Sequence, residues 1–200
     1  MVADDYREIG TKILMPLALK MPLNPMGISI LSLMTAVIAG YSFYVADLDN
    51  KEWLLVGALM VFLTAVLDAL DGIVARMKNL SSKRGDLVDH TLDRVADIIM
   101  LGGVALGPLV DTTTGFTAII GVLMLSYMGT QAQAVGAGRD YAGLLGRADR
   151  LVVMTVIPVI QYLLDEIQGI NLMTFMCYFF ATVCTLSAAY RFSRIWSELE

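Results

Sequence analysis

Six apolar runs, at about 26–46, 53–76, 86–110, 115–138, 148–166 and 171–192, occupy most of this 200-residue chain. Most approach the roughly 20 residues that an α-helix needs to cross the hydrocarbon of a bilayer. Backbone N–H and C=O groups in lipid must be satisfied internally, which for runs of this length means helices. A charged fraction of 16% beside 57% hydrophobic residues and a mean hydropathy of +0.69 exclude an ordinary water-soluble globule, in which about a quarter of residues are charged. The expectation is an all-α integral membrane protein of six transmembrane helices, a single domain over 1–200 with the lipid bilayer as its solvent. The fifth run is short and contains Pro158, but neighbouring helices can satisfy the backbone groups that an intramembrane proline frees.

Lys and Arg near span ends set orientation, whereas acids contribute little. Arg7, Lys12 and Lys20 precede the first span, Arg76, Lys78, Lys83 and Arg84 lie between the second and third, Arg139, Arg147 and Arg150 between the fourth and fifth, and Arg191 and Arg194 follow the sixth. The opposite loops hold Asp47, Asp49, Glu52, Asp111, Asp165 and Glu166, with Lys51 as their cation. Both termini are therefore expected in the cytoplasm, in a multi-pass protein of the cell membrane. No cleavable leader is expected, because the chain opens Asp4-Asp5-Tyr6-Arg7-Glu8 without a short apolar core. Tyr6, Ile9, Ile13 and Leu17 recur at helical spacing beside Arg7, Lys12 and Lys20, which predicts an amphipathic helix along the cytoplasmic interface up to Pro22 and Pro25. Cys177 and Cys184 share one face of the sixth span and cannot bond to each other.

Against this apolar background stands Asp68-x-x-Asp71-Gly72-x-x-Ala75-Arg76, followed after eight residues by Gly85-x-x-x-Asp89-x-x-x-Asp93. Ionisable residues inside a membrane are costly and mark functional sites. On helices each half puts its acids on one face, and the short connection from Met77 to Arg84 predicts antiparallel neighbours whose acidic faces oppose each other. Four such carboxylates need compensating cations. Arg76 and Arg94 offer part of the charge, and an all-oxygen ligand set favours hard divalent ions, Mg²⁺ or Mn²⁺. Two of them, ~4 Å apart, would suit displacement at phosphorus. Gly72, Ala75 and Gly85 leave room for a ligand against the helix backbones, with Arg76 as a phosphate contact. Asp97 and His90, one turn beyond Asp93 and beside Asp89, are read as supporting or structural groups.

The run from Asp68 to Asp93 resembles the complete signature of the CDP-alcohol phosphotransferase family. The resemblance implies six spans with cytoplasmic ends, a homodimer, and transfer of a phosphatidyl-type group from a CDP-linked lipid to an alcohol with release of CMP. It implies that Asp68, Asp71, Asp89 and Asp93 are metal ligands, that Asp93 is also the general base, and that Gly72, Ala75, Arg76 and Gly85 belong to the nucleotide pocket.

The alcohol is read from Gln131-x-Gln133-x-x-Gly136-x-Gly138-Arg139 and Gly146-Arg147-Ala148-Asp149-Arg150. Guanidinium groups bind phosphate in charge-assisted pairs, so Arg139, Arg147 and Arg150 point to a phosphorylated acceptor, although cations here also satisfy the positive-inside bias. This segment is similar to the phosphatidylinositol-phosphate synthase branch, and more so to its archaeal counterpart, which joins CDP-archaeol to inositol 1-phosphate. Bacterial members carry basic residues where this chain has Gly129 and Gln131. The expected partners are CDP-archaeol or CDP-diacylglycerol and inositol 1-phosphate, with no nucleic acid. Glycerol 3-phosphate and serine are the alternative acceptors. A cation transporter is the rival from another class, disfavoured because the acids lie near one boundary with none in other spans to continue a route.

Overall fold

A computed structural model describes residues 7–138, 143–164 and 171–199, with side chains from residue 10 onward. Among the described residues there are seven helices and no strand: α1 (Arg7–Lys20), α2 (Pro25–Val45), α3 (Glu52–Met77), α4 (Lys83–Leu106), α5 (Thr112–Ala134), α6 (Arg147–Leu163) and α7 (Leu172–Glu198). The six predicted runs correspond to α2 through α7, and α1 is the predicted N-terminal helix. By length and composition α2, α3, α5 and α7 can each cross a membrane. Asp89, Asp93, Arg94 and Asp97 interrupt the apolar character of α4, and α6 is short at 17 residues. Helix α6 continues through Pro158, which is buried.

Local chemistry explains where the helices begin and end. The Asn24 side chain accepts from the Gly27 N–H, with Pro25 at the first helical position of α2. Ser82 starts α4 in the same way by accepting from the Gly85 N–H at 3.1 Å. Helix α3 stops at Asn79, whose φ of +53° is left-handed, and two bonds satisfy its last carbonyls, Leu80 N–H to Ala75 at 2.9 Å and Asn79 N–H to Arg76 at 3.2 Å. That turn fixes the short connection between the two halves of the aspartate motif. Helix α5 closes likewise at Gly136, with φ +84°.

Helix α2 is the central element, packing against both α3 and α4, while α6 packs on α3, α5 on α4, and α7 on α5 and α6. Its contact with α4 is close: a Cβ added to Gly103 would overlap the Gly40 carbonyl. Its contact with α3 is polar as well as apolar, with Ser32 donating to the Thr64 carbonyl at 3.1 Å and the Thr35 and Thr64 hydroxyls 2.8 Å apart. The tight Gly40–Gly103 contact lies toward the C-terminal ends of α2 and α4, and their N-terminal ends diverge around a cavity. Expected to pack directly, α3 and α4 instead have α2 against each of them and make no extensive backbone contact of their own. Their acidic faces nevertheless oppose each other across the resulting gap.

Many large apolar side chains, among them Ile30, Met34, Leu59, Phe62, Ile120, Met124, Phe175 and Leu186, point outward on the helices, the inverse of a soluble bundle and the pattern of a surface solvated by lipid. Helix α1 docks on α3, burying Ala18, and leaves Ile13 and Leu17 exposed as its predicted apolar face requires; the Tyr6 and Ile9 side chains of that face lie outside the described residues. Cys177 and Cys184 are free and buried, as packing residues.

Candidate active site

The C-terminal end of α3 and the N-terminal half of α4 bring the sequence-predicted acids together. Carboxylate oxygens of Asp68, Asp71 and Asp89 lie within 4.8 Å of one another, and Asp89, His90 and Asp93 form an adjoining group of the same size. A void of about 10 Å³ is bordered by all four aspartates and by Arg147, a volume near that of one water-sized sphere. Oxygen donors this close, on facing helices, fit a hard divalent cation in ligand type and in spacing.

Next to the acids opens a cavity of about 550 Å³, whose lining includes Asp71, Gly72, Ala75, Arg76, Gly85 and Asp89. All four positions predicted for the nucleotide therefore line one space together with two of the acids, and the volume is within the usual range for a small-molecule site. The two glycines differ from those at the helix contacts. A Cβ on Gly72 would meet only the flexible tip of Arg76 at 3.3 Å, and one on Gly85 only the Ser82 hydroxyl at 3.4 Å. Packing does not require glycine at either place, whereas a ligand lying against the backbone does.

Ser29 of α2 enters the site by donating to Asp71 Oδ2 at 2.7 Å. Sequence reasoning did not include it, because a serine in an apolar run carries no signal of what it will face 42 positions away. His90 sits with Nε2 3.2 Å from Asp86 and Nδ1 3.7 Å from Asp89, at the edge of the acids.

The predicted acceptor residues are placed unevenly. Arg139 lies outside the described residues. Arg147, the first residue of α6, is largely buried: one terminal nitrogen lies 2.6 Å from Asp68 Oδ2 and 2.9 Å from Asp93 Oδ1, and its Nε is 3.6 Å from Asp97. Arg150 donates to Asp97 at 3.1 Å and to the Leu145 carbonyl at 3.1 Å. Arg94 reaches Asp93 at 3.7 Å and Asp97 at 3.6 Å. Asp97, only 4% exposed, is thus the common anchor of three guanidinium groups, a role that its place one turn past Asp93 suggested only in outline. Arg76, expected to offset the acids, is exposed on the cavity wall, and Arg147 takes the offsetting position instead. Among the described residues five carboxylates meet three guanidinium groups, so Asp71 and Asp89 have no guanidinium partner there. Among the described residues the buried Nε atoms of Arg94, Arg147 and Arg150 have no hydrogen-bond partner. Carboxylate oxygens on one side and guanidinium groups on the other have the charges that suit a cation and an oxyanion respectively.

The sequence pattern of CDP-alcohol phosphatidyltransferases matches residues 23–191, most of the chain. The chain is 33% identical over 134 residues to archaetidylinositol phosphate synthase of Pyrococcus horikoshii, 67% of this chain and 68% of that protein. Its fold is shared with the crystal structure of Mycobacterium tuberculosis phosphatidylinositol phosphate synthase with CDP-DAG bound, at TM-score 0.74 and 23% identity over 94% of each chain. The same enzyme in complex with manganese and citrate gives TM-score 0.73 at 22% identity, over 94% of this chain and 88% of that one. An acid cage beside a nucleotide-sized cavity, on helices with this order and outline, belongs to a membrane transferase of substituted phosphate groups, and the chain is a member of the CDP-alcohol phosphatidyltransferase family.

Proposed function

We propose that this protein transfers the archaetidyl or phosphatidyl group of CDP-archaeol or CDP-diacylglycerol to inositol 1-phosphate and releases CMP. The observation that carries the reading is the convergence of Asp68, Asp71 and Asp89 on the wall of the cavity that also holds Gly72, Ala75, Arg76 and Gly85. In this reading the nucleotide lies against Gly72 and Gly85, where no side chain stands in its way, and Arg76 contacts its phosphates. Two divalent cations, Mg²⁺ or Mn²⁺, held by Asp68, Asp71, Asp89 and Asp93, would supply charge stabilisation on the pyrophosphate and the departing CMP. Asp93 accepts the proton of the acceptor hydroxyl, whose oxygen forms the new bond to the β-phosphorus as the bond to CMP breaks. The manganese complex and the bound CDP-DAG of the mycobacterial enzyme support the metal and the donor class.

A phosphorylated acceptor is supported by the arginines gathered at the start of α6, and inositol 1-phosphate by the names of the archaeal and mycobacterial synthases. All of α2 through α7 would span the cell membrane, α4 and α6 sheltering their charges inside the bundle, with both termini and the cavity on the cytoplasmic side and α1 on the interface. A homodimer is the assembly that the family resemblance implies.

An acceptor panel tests the proposal. Purified protein with one labelled CDP-lipid and Mn²⁺ should release CMP with inositol 1-phosphate in strong preference to glycerol 3-phosphate, serine and unphosphorylated inositol. CMP release with serine or inositol but not with inositol 1-phosphate would reassign the acceptor, and cation flux without CMP formation would return the transporter reading.

A further inference from the structure

We infer that Arg147 is an internal counter-cation that competes with divalent ions for Asp68 and Asp93 and turns to the acceptor's phosphate when they bind, so that metal and acceptor bind cooperatively. The inference rests on the proposed function and adds an order of events to it. A single guanidinium nitrogen of Arg147 lies between Asp68 and Asp93 at 2.6 and 2.9 Å. Both acids are in the proposed metal set, and an oxygen lone pair given to this N–H is not available to a cation. A positive group at that point also repels an incoming ion directly. Metal and Arg147 therefore compete for these two acids.

Arg147 and Arg150 are held in different ways, and the two shortest contacts of Arg147 are to acids of the proposed metal set. Arg150 is 4% exposed and fastened at both ends of its fork, to Asp97 and to the Leu145 carbonyl. Leu145 has a φ of +62°, a costly conformation for a branched residue, and the Arg150 bond pins the backbone there. Arg147 has no such backbone bond among the described residues. Its one further contact, Nε to Asp97 at 3.6 Å, is a charge pairing too long for a hydrogen bond and does not depend on Asp68 or Asp93. A dianionic phosphate ester offers the released guanidinium a partner of matching geometry. Each ligand then relieves a cost for the other, and thermodynamic reciprocity makes the two effects equal.

The test uses the full-length protein in detergent, with Mn²⁺ binding followed by the electron paramagnetic resonance signal of the free ion. Saturating inositol 1-phosphate should tighten Mn²⁺ binding about ten-fold, within the usual span of coupling between two sites. Mn²⁺ should tighten inositol 1-phosphate binding by the same factor, and unphosphorylated inositol should do neither. Arg147→Gln should bind Mn²⁺ about ten-fold more tightly than the parent, with the coupling lost. Coupling measured on the parent stands even where the variant fails to fold. Mn²⁺ binding that ignores both inositol 1-phosphate and Arg147→Gln would overturn the inference and leave the proposed function intact. A parent that binds no Mn²⁺ at all would overturn the proposed function itself.

Discussion

Asp93, proposed as both proton acceptor and cation ligand, lies 2.9 Å from Arg147 and 3.7 Å from Arg94. Asp93→Asn keeps the shape but removes the basicity, so turnover should fall by at least about 100-fold. Binding of CDP-lipid should persist and that of Mn²⁺ should weaken without being lost, because three of the four proposed ligands remain, and parallel CMP-release and binding assays would check this; full activity would remove Asp93 from the proton transfer. Gly72→Ala adds a methyl group that meets only the Arg76 tip. The variant should melt like the parent and bind CDP-lipid several-fold more weakly, as thermal unfolding and a binding titration can show. The spacing of Asp68, Asp71, Asp89 and Asp93 was legible because helical periodicity alone projects such acids onto one face. The Ser29 bond to Asp71 and the anchoring of Arg150 by Asp97 were not, since they join residues 42 and 53 positions apart and depend on how the helices cross.

Among the helices, α2 does the work of placing α3 and α4. It holds α4 through the Gly40–Gly103 contact and α3 through Thr64. Gly103→Ala would force a methyl group into the Gly40 carbonyl, and overpacking of this kind costs about 1–3 kcal/mol. Its melting temperature should drop clearly, where Gly72→Ala leaves it unchanged, and equal melting of the two variants would mean that α2 and α4 are not in close contact. Short connections suggested that α3 and α4 pack side by side, because a tight turn normally joins neighbours. The intervening role of α2 was hidden, since the glycines that let it approach α4 look the same in sequence as glycines that leave room for a ligand. The space around each one tells them apart: Gly103 is filled by its neighbour, while Gly72 and Gly85 face a cavity.

At the scale of the molecule, the apolar runs were legible as helices, but their ends were not: Ser82 caps α4 ahead of the predicted start at 86, and α7 runs on to Glu198, past the predicted end at 192, because caps and polar turns lie outside what hydropathy reads. What those rules undervalue is an apolar helix that also carries charge. Helix α4 holds Asp89, Asp93, Arg94 and Asp97, of which Asp93 and Asp97 are turned inward and paired with guanidinium groups of α4 and α6. The orientation proposed from the cations has a direct check: Ser197→Cys should react with an impermeant thiol reagent only from the cytoplasmic side and Asp49→Cys only from outside. Cys177 and Cys184 are buried and should stay silent. The central claim is that the facing carboxylates form one cation site. Crystals grown with Mn²⁺ and measured near the manganese absorption edge should show an anomalous peak among Asp68, Asp71 and Asp89, within coordination distance of their oxygens. Ordered carboxylates with no peak between them, or a manganese ion bound elsewhere in the molecule, would contradict the account.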